Sequence, residues 1–232
     1  MSFKASFAQL FDRASLPEYA EKEIRVGSFE VKEHKADSSP VPMTLLRVEH
    51  KDAEFTSFNH CLVEGMKDLT ETRTSFIRDL DCDGVAFVKF DTQEGLIFAE
   101  LKSRFSTGNV EGAFGQMFTS FLKMHAMLSL CKDYSIDKIS VHFIAACQCF
   151  QDDNQVVGVY NRLNKVENAA KNSFEGSFLR KLIEEHEIVV KFGDITSSWN
   201  LPLNESLTDK SVTLSLQMTQ KYGDRSTVYF YN

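Results

Sequence analysis

The residues from Asp83 to Lys102 read DGVAFVKF, DTQEG and LIFAELK in succession, and this stretch decides the fold. Two arms rich in Val, Phe, Ile and Leu flank a polar middle that ends in Gly, an order that predicts a strand, a turn and a strand. On the second arm Glu100 and Lys102 lie two residues apart, so both point to the same side of the strand. If the turn has an even number of residues, as from Asp91 to Glu94, the register would place Asp83 near Lys102 on that same face. The sequence therefore predicts a β-hairpin on which two carboxylates and an amine converge.

This convergence predicts a site for a hard cation. Oxygen ligands suit Mg²⁺ or Mn²⁺, which keep several waters and share them with substrate phosphates. A lysine beside such an ion can hold a water in line for attack or help remove its proton. These groups fit metal-assisted hydrolysis of a phosphodiester. The same spacing also fits a cross-strand salt bridge on a solvated sheet face, which would contribute only about 0.2–1 kcal/mol.

The segment Asp83-Gly84-Val85, then Glu100-Leu101-Lys102, then a helix, resembles the PD-(D/E)XK nuclease superfamily, which has the restriction-endonuclease-like fold. In that superfamily an Asp heads one strand and Glu-x-Lys lies on the next. A helix that often carries a Glu precedes them, and a helix that often carries a Gln follows. Cys82 stands here where the family often has Pro. The match covers roughly residues 58–149.

The resemblance implies a role for each matching residue. Asp83 and Glu100 would bind Mg²⁺ or Mn²⁺, and the backbone carbonyl of Leu101 would complete the shell of the ion. Lys102 would position or activate the attacking water. Gln116, on the helix after the hairpin, resembles the helical Gln of the family and would orient Lys102 and its water or contact the scissile region. The substrate implied is DNA.

A helix predicted from Ser57 to Arg73 carries Glu64, which precedes Asp83 by 19 residues (83 − 64 = 19). The resemblance implies that Glu64 assists the metal, with Glu71 as the second choice. Either residue also fits an ordinary carboxylate on a solvated helix face.

The helix after the hairpin is predicted from about Val110 to about Cys131, behind a polar loop that can cap it. It carries a narrow polar stripe at positions i, i+3, i+4 and i+7, which share one side of a helix: Gln116, Thr119, Ser120 and Lys123. In exonuclease-like branches of the family a Tyr follows the Gln by four residues, and here that position is Ser120. The stripe also fits the solvent side of a surface helix.

The remaining segments complete the predicted architecture. An apolar run at 138–147 predicts a central strand parallel to the second hairpin arm, because a strand, a long helix and a strand imply a right-handed crossover. Further segments with helical or alternating patterns are helices at 2–13, 154–171 and 173–187 and strands at 23–33, 43–49, 188–192 and 211–219, with a last strand at 227–231 that forms a C-terminal hairpin.

The predicted fold class is α/β, with a mixed central sheet flanked by helices, a restriction-endonuclease-like core at about 57–150 and a C-terminal β-hairpin extension. Residues 1–232 are predicted to form a single domain, with N-terminal (1–56) and C-terminal (151–232) elaborations. The exposed edge of the C-terminal hairpin would allow pairing with a second copy, so a homo-oligomer is one expectation.

Composition restricts the function classes. With 43% hydrophobic residues among 232, the chain can bury a large core, and its formal charge of −7 argues against a protein that coats nucleic acid over its whole surface. Any DNA-binding face must be local, and the best dispersed cations for it are Arg162, Lys165, Arg180 and Lys181. No apolar run approaches the ~18 residues of a spanning helix, which predicts no membrane partner and a soluble, cytoplasmic protein.

The five cysteines lack CxxC pairs and fit reduced core thiols, although Cys147 and Cys149 leave a nucleophile as an alternative. The sequence therefore predicts a Mg²⁺- or Mn²⁺-dependent nuclease that hydrolyses DNA. Two alternatives remain open. One is a noncatalytic binding or assembly module on the same fold, and the other is an unrelated α/β domain in which Glu-x-Lys is an ordinary salt bridge.

Overall fold

The computed structural model describes residues 7, 21–32, 43–58, 81–90, 93–150, 152–169, 174–199, 201–219 and 225–229. Its strands are β1 (Glu21–Lys32), β2 (Leu45–Phe58), β3 (Gly84–Phe90), β4 (Gln93–Lys102), β5 (Ile139–Gln148), β6 (Glu187–Lys191), β7 (Ser211–Thr219) and β8 (Arg225–Tyr229). Its α-helices are α1 (Thr107–Leu128), α2 (Asp153–Ala169), α3 (Arg180–Glu185), α4 (Phe192–Thr196) and α5 (Glu205–Thr208). None of these helices is long and apolar enough to cross a membrane.

The strands form one mixed sheet, and the described part of the chain confirms the predicted α/β fold class. The order is β1-β2-β3-β4-β5-β7-β6, and β8 pairs with β2. Strands β2, β3 and β4 are antiparallel neighbours, whereas β4, β5 and β7 are parallel. The helices contribute their apolar side chains to a core on one face of this sheet.

The β3–β4 pair is the hairpin predicted from the sequence, with a different register. Phe90 pairs with Gln93, so the turn is shorter than the predicted one and lies outside the described residues. The register places Asp83 in line with Glu100 rather than with Lys102. Because the shift is two residues, both acids remain on the same face, as the predicted pattern required.

Helix α1 connects β4 to the parallel strand β5 and packs against both. Ser106 caps the helix by accepting a hydrogen bond from the backbone N–H of Asn109 at 3.0 Å, so the helix begins three residues before the predicted Val110. Phe118 and Phe121 then pack edge to face on Phe143 of β5, with ring centroids 4.9 and 5.7 Å away. This packing places the first turns of α1 close to the end of β4.

On the opposite face of the sheet, the described residues form a second apolar cluster that comes mainly from strands. Strands β1, β2 and β8 contribute to this cluster, which also contains Ala99 and Leu101 of β4. A Cβ added to Gly84 would lie 2.6 Å from the Val31 side chain, so β1 passes directly behind the start of β3. The positive φ of Gly27 (91°) accompanies the bulge where β1 changes register.

The prediction that the last two strands form a C-terminal hairpin is wrong. Strand β7 already has β5 on one edge and β6 on the other, so neither edge accepts a further strand. β8 instead runs parallel to the first half of β2, where Val228 lies opposite Val48 and is buried in the second cluster. The edge on which the predicted homo-oligomer depended is therefore absent from β7.

Other segments begin or end at residues that differ from the predicted ones. Ser57 and Phe58, predicted to begin a helix, are the last residues of β2, which pairs there with β3, and the rest of that predicted helix lies outside the described residues. The helix predicted at 173–187 ends with α3, because His186 adopts a left-handed conformation (φ 65°) and β6 begins at Glu187. Of the helix predicted at 2–13, only Phe7 is described; it is helical and packs on Phe87.

Candidate functional site

Four of the predicted site residues meet where β3 begins and β4 ends, on the sheet face that α1 covers: Asp83, Glu100, Lys102 and Gln116. Side chains alternate along β4, with Phe98 in the helix-side core and Leu101 in the second cluster. Glu100 and Lys102 therefore share the helix side. Asp83 precedes β3 directly and lies opposite Glu100 in the antiparallel register.

Asp83 and Glu100 are fixed by reciprocal hydrogen bonds to the backbone. The backbone N–H of Asp83 donates to Glu100 Oε2 at 2.9 Å, and the backbone N–H of Leu101 donates to Asp83 Oδ2 at 2.8 Å. One oxygen of each carboxylate is thereby used by the hairpin itself. The other oxygen of each remains for a side chain or a cation.

Lys102 joins the acids to helix α1. Its ammonium donates to Glu100 Oε1 at 2.5 Å and to Gln116 Oε1 at 2.9 Å. Glu100 is almost fully buried, whereas 26% of the Lys102 side chain is exposed to solvent. The structure thus brings together Asp83, Glu100, Lys102 and Gln116, with the lysine on the solvent side.

The electrostatics of the two acids reflect burial and mutual repulsion. Burial, and then the Asp83 carboxylate, raise the pKa of Glu100 to about 8 against the opposing effect of Lys102. Burial also raises the pKa of Asp83 above its usual value, although the Leu101 N–H, Lys102 and a hydrogen bond with the Glu100 carboxyl lower it. Burial and mutual repulsion therefore oppose ionisation of both acids at once, and the positive charge of Lys102 favours it.

This donor set fits a small divalent cation. Mg²⁺ is typically held by one or two carboxylates and keeps several waters, and its charge would relieve the repulsion that raises the pKa of Glu100. No group of three or more His, Cys, Asp or Glu side chains that could hold a metal occurs in the described part of the chain. The Leu101 N–H bonds to Asp83, and the predicted role of its carbonyl remains a prediction.

The polar stripe of α1 is not a solvent face. Thr119, Ser120 and Lys123 are buried, and two of them bind the residues that lead into β3. Ser120 Oγ accepts the backbone N–H of Cys82 at 3.0 Å, and the Lys123 ammonium donates to Asp81 Oδ1 at 2.7 Å. The sequence predicted the stripe but not the segment that the stripe binds. The signal that pointed to burial was how apolar the rest of the helix is.

The remaining predicted candidates are two helical acids, the cysteines and the dispersed basic residues. Glu64 and its alternative Glu71 lie outside the described residues, so their predicted roles remain predictions. Burial raises the pKa of the Cys147 thiol to about 12, which keeps it protonated and argues against the alternative of a nucleophile. Arg180 lies over the Tyr160 ring and donates a hydrogen bond to Asn164 of α2. These contacts between helices explain the arginine without a DNA-binding role.

A network of charges and hydrogen bonds therefore lies at the end of the hairpin. It combines a buried acid pair, a partly exposed lysine and a glutamine that holds the lysine in place. No family model matches this chain, and no curated protein or solved structure matches it either.

Proposed function

We propose that this protein hydrolyses phosphodiester bonds in DNA with the help of Mg²⁺ or Mn²⁺. The observation that carries the proposal is the convergence of the Asp83 and Glu100 carboxylates with the Lys102 ammonium at one end of the hairpin. The resemblance of Asp83 and Glu100-Leu101-Lys102 to the PD-(D/E)XK motif supports the same reaction.

Asp83 and Glu100 would hold the ion, with the Leu101 carbonyl as a further oxygen ligand and Glu64 assisting. When bound, the ion supplies Lewis acidity toward the phosphate and positive charge for the transition state. That charge also offsets the formal charge of −7 where the DNA backbone must approach. The two backbone hydrogen bonds set the carboxylates before the ion binds, which reduces the cost of ordering them.

Lys102 would position the attacking water. An ammonium has three N–H groups, and Glu100 and Gln116 accept two of those of Lys102. The third remains for a water or a phosphate oxygen on the exposed side of the lysine. Gln116 acts through Lys102, because its side-chain oxygen fixes the direction of the ammonium.

A noncatalytic binding or assembly module on the same fold is the second candidate. It is favoured by the ion pair of Lys102 with Glu100, which neutralises the acid without any metal, and by the negative charge of the chain. This module would neither cleave DNA nor take up a divalent ion.

Cleavage of plasmid and linear DNA with Mg²⁺, with Mn²⁺ and with chelator distinguishes the two candidates. The wild-type chain should cleave only with the metal, and Lys102→Ala should reduce the rate at least about 100-fold. The variant should stay folded because Glu100 can take up a proton when its partner is removed. Lys89→Ala, an exposed change on the same hairpin, is the matched control and should retain the wild-type rate. An undiminished rate in Lys102→Ala would remove the proposal.

A further inference from the structure

Lys123 is a fully buried lysine that bonds to an acid two residues before Asp83. Its side chain is 0% exposed, that of Asp81 is 8% exposed, and the ammonium lies 2.7 Å from Asp81 Oδ1. The pair lies inside the molecule, between α1 and the segment that leads into β3. Lys123 has no role in the function proposed above.

Stability does not account for this pair. Removing an ammonium and a carboxylate from water costs several kcal/mol each, and apolar residues of similar volume often replace a buried ion pair with no loss of stability. Met124 and Met127 of the same helix are buried in the apolar core. A methionine at position 123 would therefore suit this side of α1, and the charged pair requires another explanation.

The alternative explanation is the geometry of residues 81–83, which lie outside any strand or helix. Three side chains of α1 bind this segment in succession. Gln116 Nε2 donates to the Asp81 carbonyl at 3.4 Å, Ser120 accepts the N–H of Cys82, and Lys123 binds the Asp81 carboxylate. The same helix thus holds both Lys102, through Gln116, and the backbone that carries Asp83.

We propose that Lys123 and Asp81 form a positioning pair that sets the Asp83 carboxylate for divalent-cation binding. The inference rests on the proposed function. Because the ion pair is directional and buried, it fixes the segment 81–83 against α1 more tightly than an apolar contact would. Its loss should first weaken the affinity for the cation, and only through that affinity reduce the rate of DNA cleavage.

The test is a double variant, Asp81→Asn with Lys123→Met, which removes both charges and leaves no buried ion without a partner. We expect a folded protein by circular dichroism whose Mn²⁺ dissociation constant rises about 10- to 100-fold, the range typical of residues that orient metal ligands. DNA cleavage should be lost at low Mg²⁺ and restored at high Mg²⁺. A purely structural role would instead lower the stability in urea denaturation and leave the Mn²⁺ dissociation constant of the folded protein unchanged.

Lys191→Met is the matched control, because it breaks a Lys–Asp pair of similar length (2.8 Å) whose side chains are 59% and 69% exposed. It should change neither the affinity for Mn²⁺ nor the Mg²⁺ dependence of DNA cleavage. If the double variant fails to fold, Asp81→Leu with Lys123→Met takes its place, since it removes both charges and also the polar amide that Asn would leave in the interior. Wild-type affinity and Mg²⁺ dependence in the folded variant would overturn the inference and leave the proposed function standing. A wild-type chain that binds no Mn²⁺ would overturn both.

Discussion

The backbone N–H of Asp83 donates to the side chain of Glu100, and the Asp83 side chain accepts the backbone N–H of the residue that follows Glu100. Each acid is therefore held by the backbone at or next to the other acid. This reciprocal arrangement keeps two like charges close together in a buried place, where repulsion favours either a shared proton or a cation. The stability and the chemistry of the site depend on this relationship and on the packing that maintains it.

Replacing Gln116 by Ala should lower kcat for DNA cleavage by about 10- to 100-fold and leave KM for DNA nearly unchanged. The reason is that Gln116 Oε1 is the second acceptor that directs the Lys102 ammonium, at 2.9 Å. Steady-state kinetics at saturating Mg²⁺ measures both constants. Gln93→Ala, an exposed change at the other end of β4, is the control. An unchanged kcat in Gln116→Ala would mean that the direction of Lys102 does not depend on this contact.

Replacing Glu100 by Gln should make the protein more stable in alkaline solution. Since the folded-state pKa of about 8 lies above the ordinary value of 4.5, the proton on Glu100 favours the folded state. That contribution is complete below about pH 4.5 and is lost as the pH rises through about 8. In metal-free urea denaturation, the variant should exceed the wild type by a few kcal/mol at about pH 9 and by little at about pH 4.

Glu111→Gln, an exposed change on α1, is the control for this pH dependence and should follow the wild type at every pH. If Glu100→Gln shows the same loss of stability with rising pH as the wild type, Glu100 does not carry a raised pKa in the folded protein.

Replacing Gly95 by Ala should destabilise the fold by about 1–3 kcal/mol. A Cβ at this position would lie 2.2 Å from Ser140 Oγ and 3.0 Å from the Ser140 carbonyl, on the neighbouring parallel strand. Gly112→Ala in α1 meets nothing within 4 Å and should instead stabilise by about 0.5–1 kcal/mol. Urea denaturation measures both changes. Equal stability of Gly95→Ala and the wild type would contradict the register of β4 with β5.

Much of the arrangement could be predicted because local chemistry determines it. The alternation of β4 places Glu100 and Lys102 on one face whatever the length of the turn, and Asp83 shares that face because the number of turn residues is even. The capping ability of Ser106 and the apolar face of α1 predict the crossover to β5, and the parallel pairing follows from it.

The structure differs from the prediction where contacts between distant parts of the chain determine which segments pair. Gln93 and Glu94 look like turn residues, yet they begin β4, because the register is set by the whole length of β3. β8 pairs with β2 because Val228 finds apolar neighbours there, a contact that spans most of the chain. The partner of Lys123 could not be read from α1 alone, since Asp81 comes from a segment without regular structure.

The most direct test of the metal centre is a calorimetric titration of the chelator-treated protein with Mn²⁺, comparing the wild type with Asp83→Asn. Asn retains an oxygen that can accept the Leu101 N–H, so the hairpin should persist while one charged ligand is lost. The account predicts that the wild type binds the ion and that the variant binds at least about tenfold more weakly. A wild-type protein that takes up no Mn²⁺, or a variant that binds it equally well, would contradict the account.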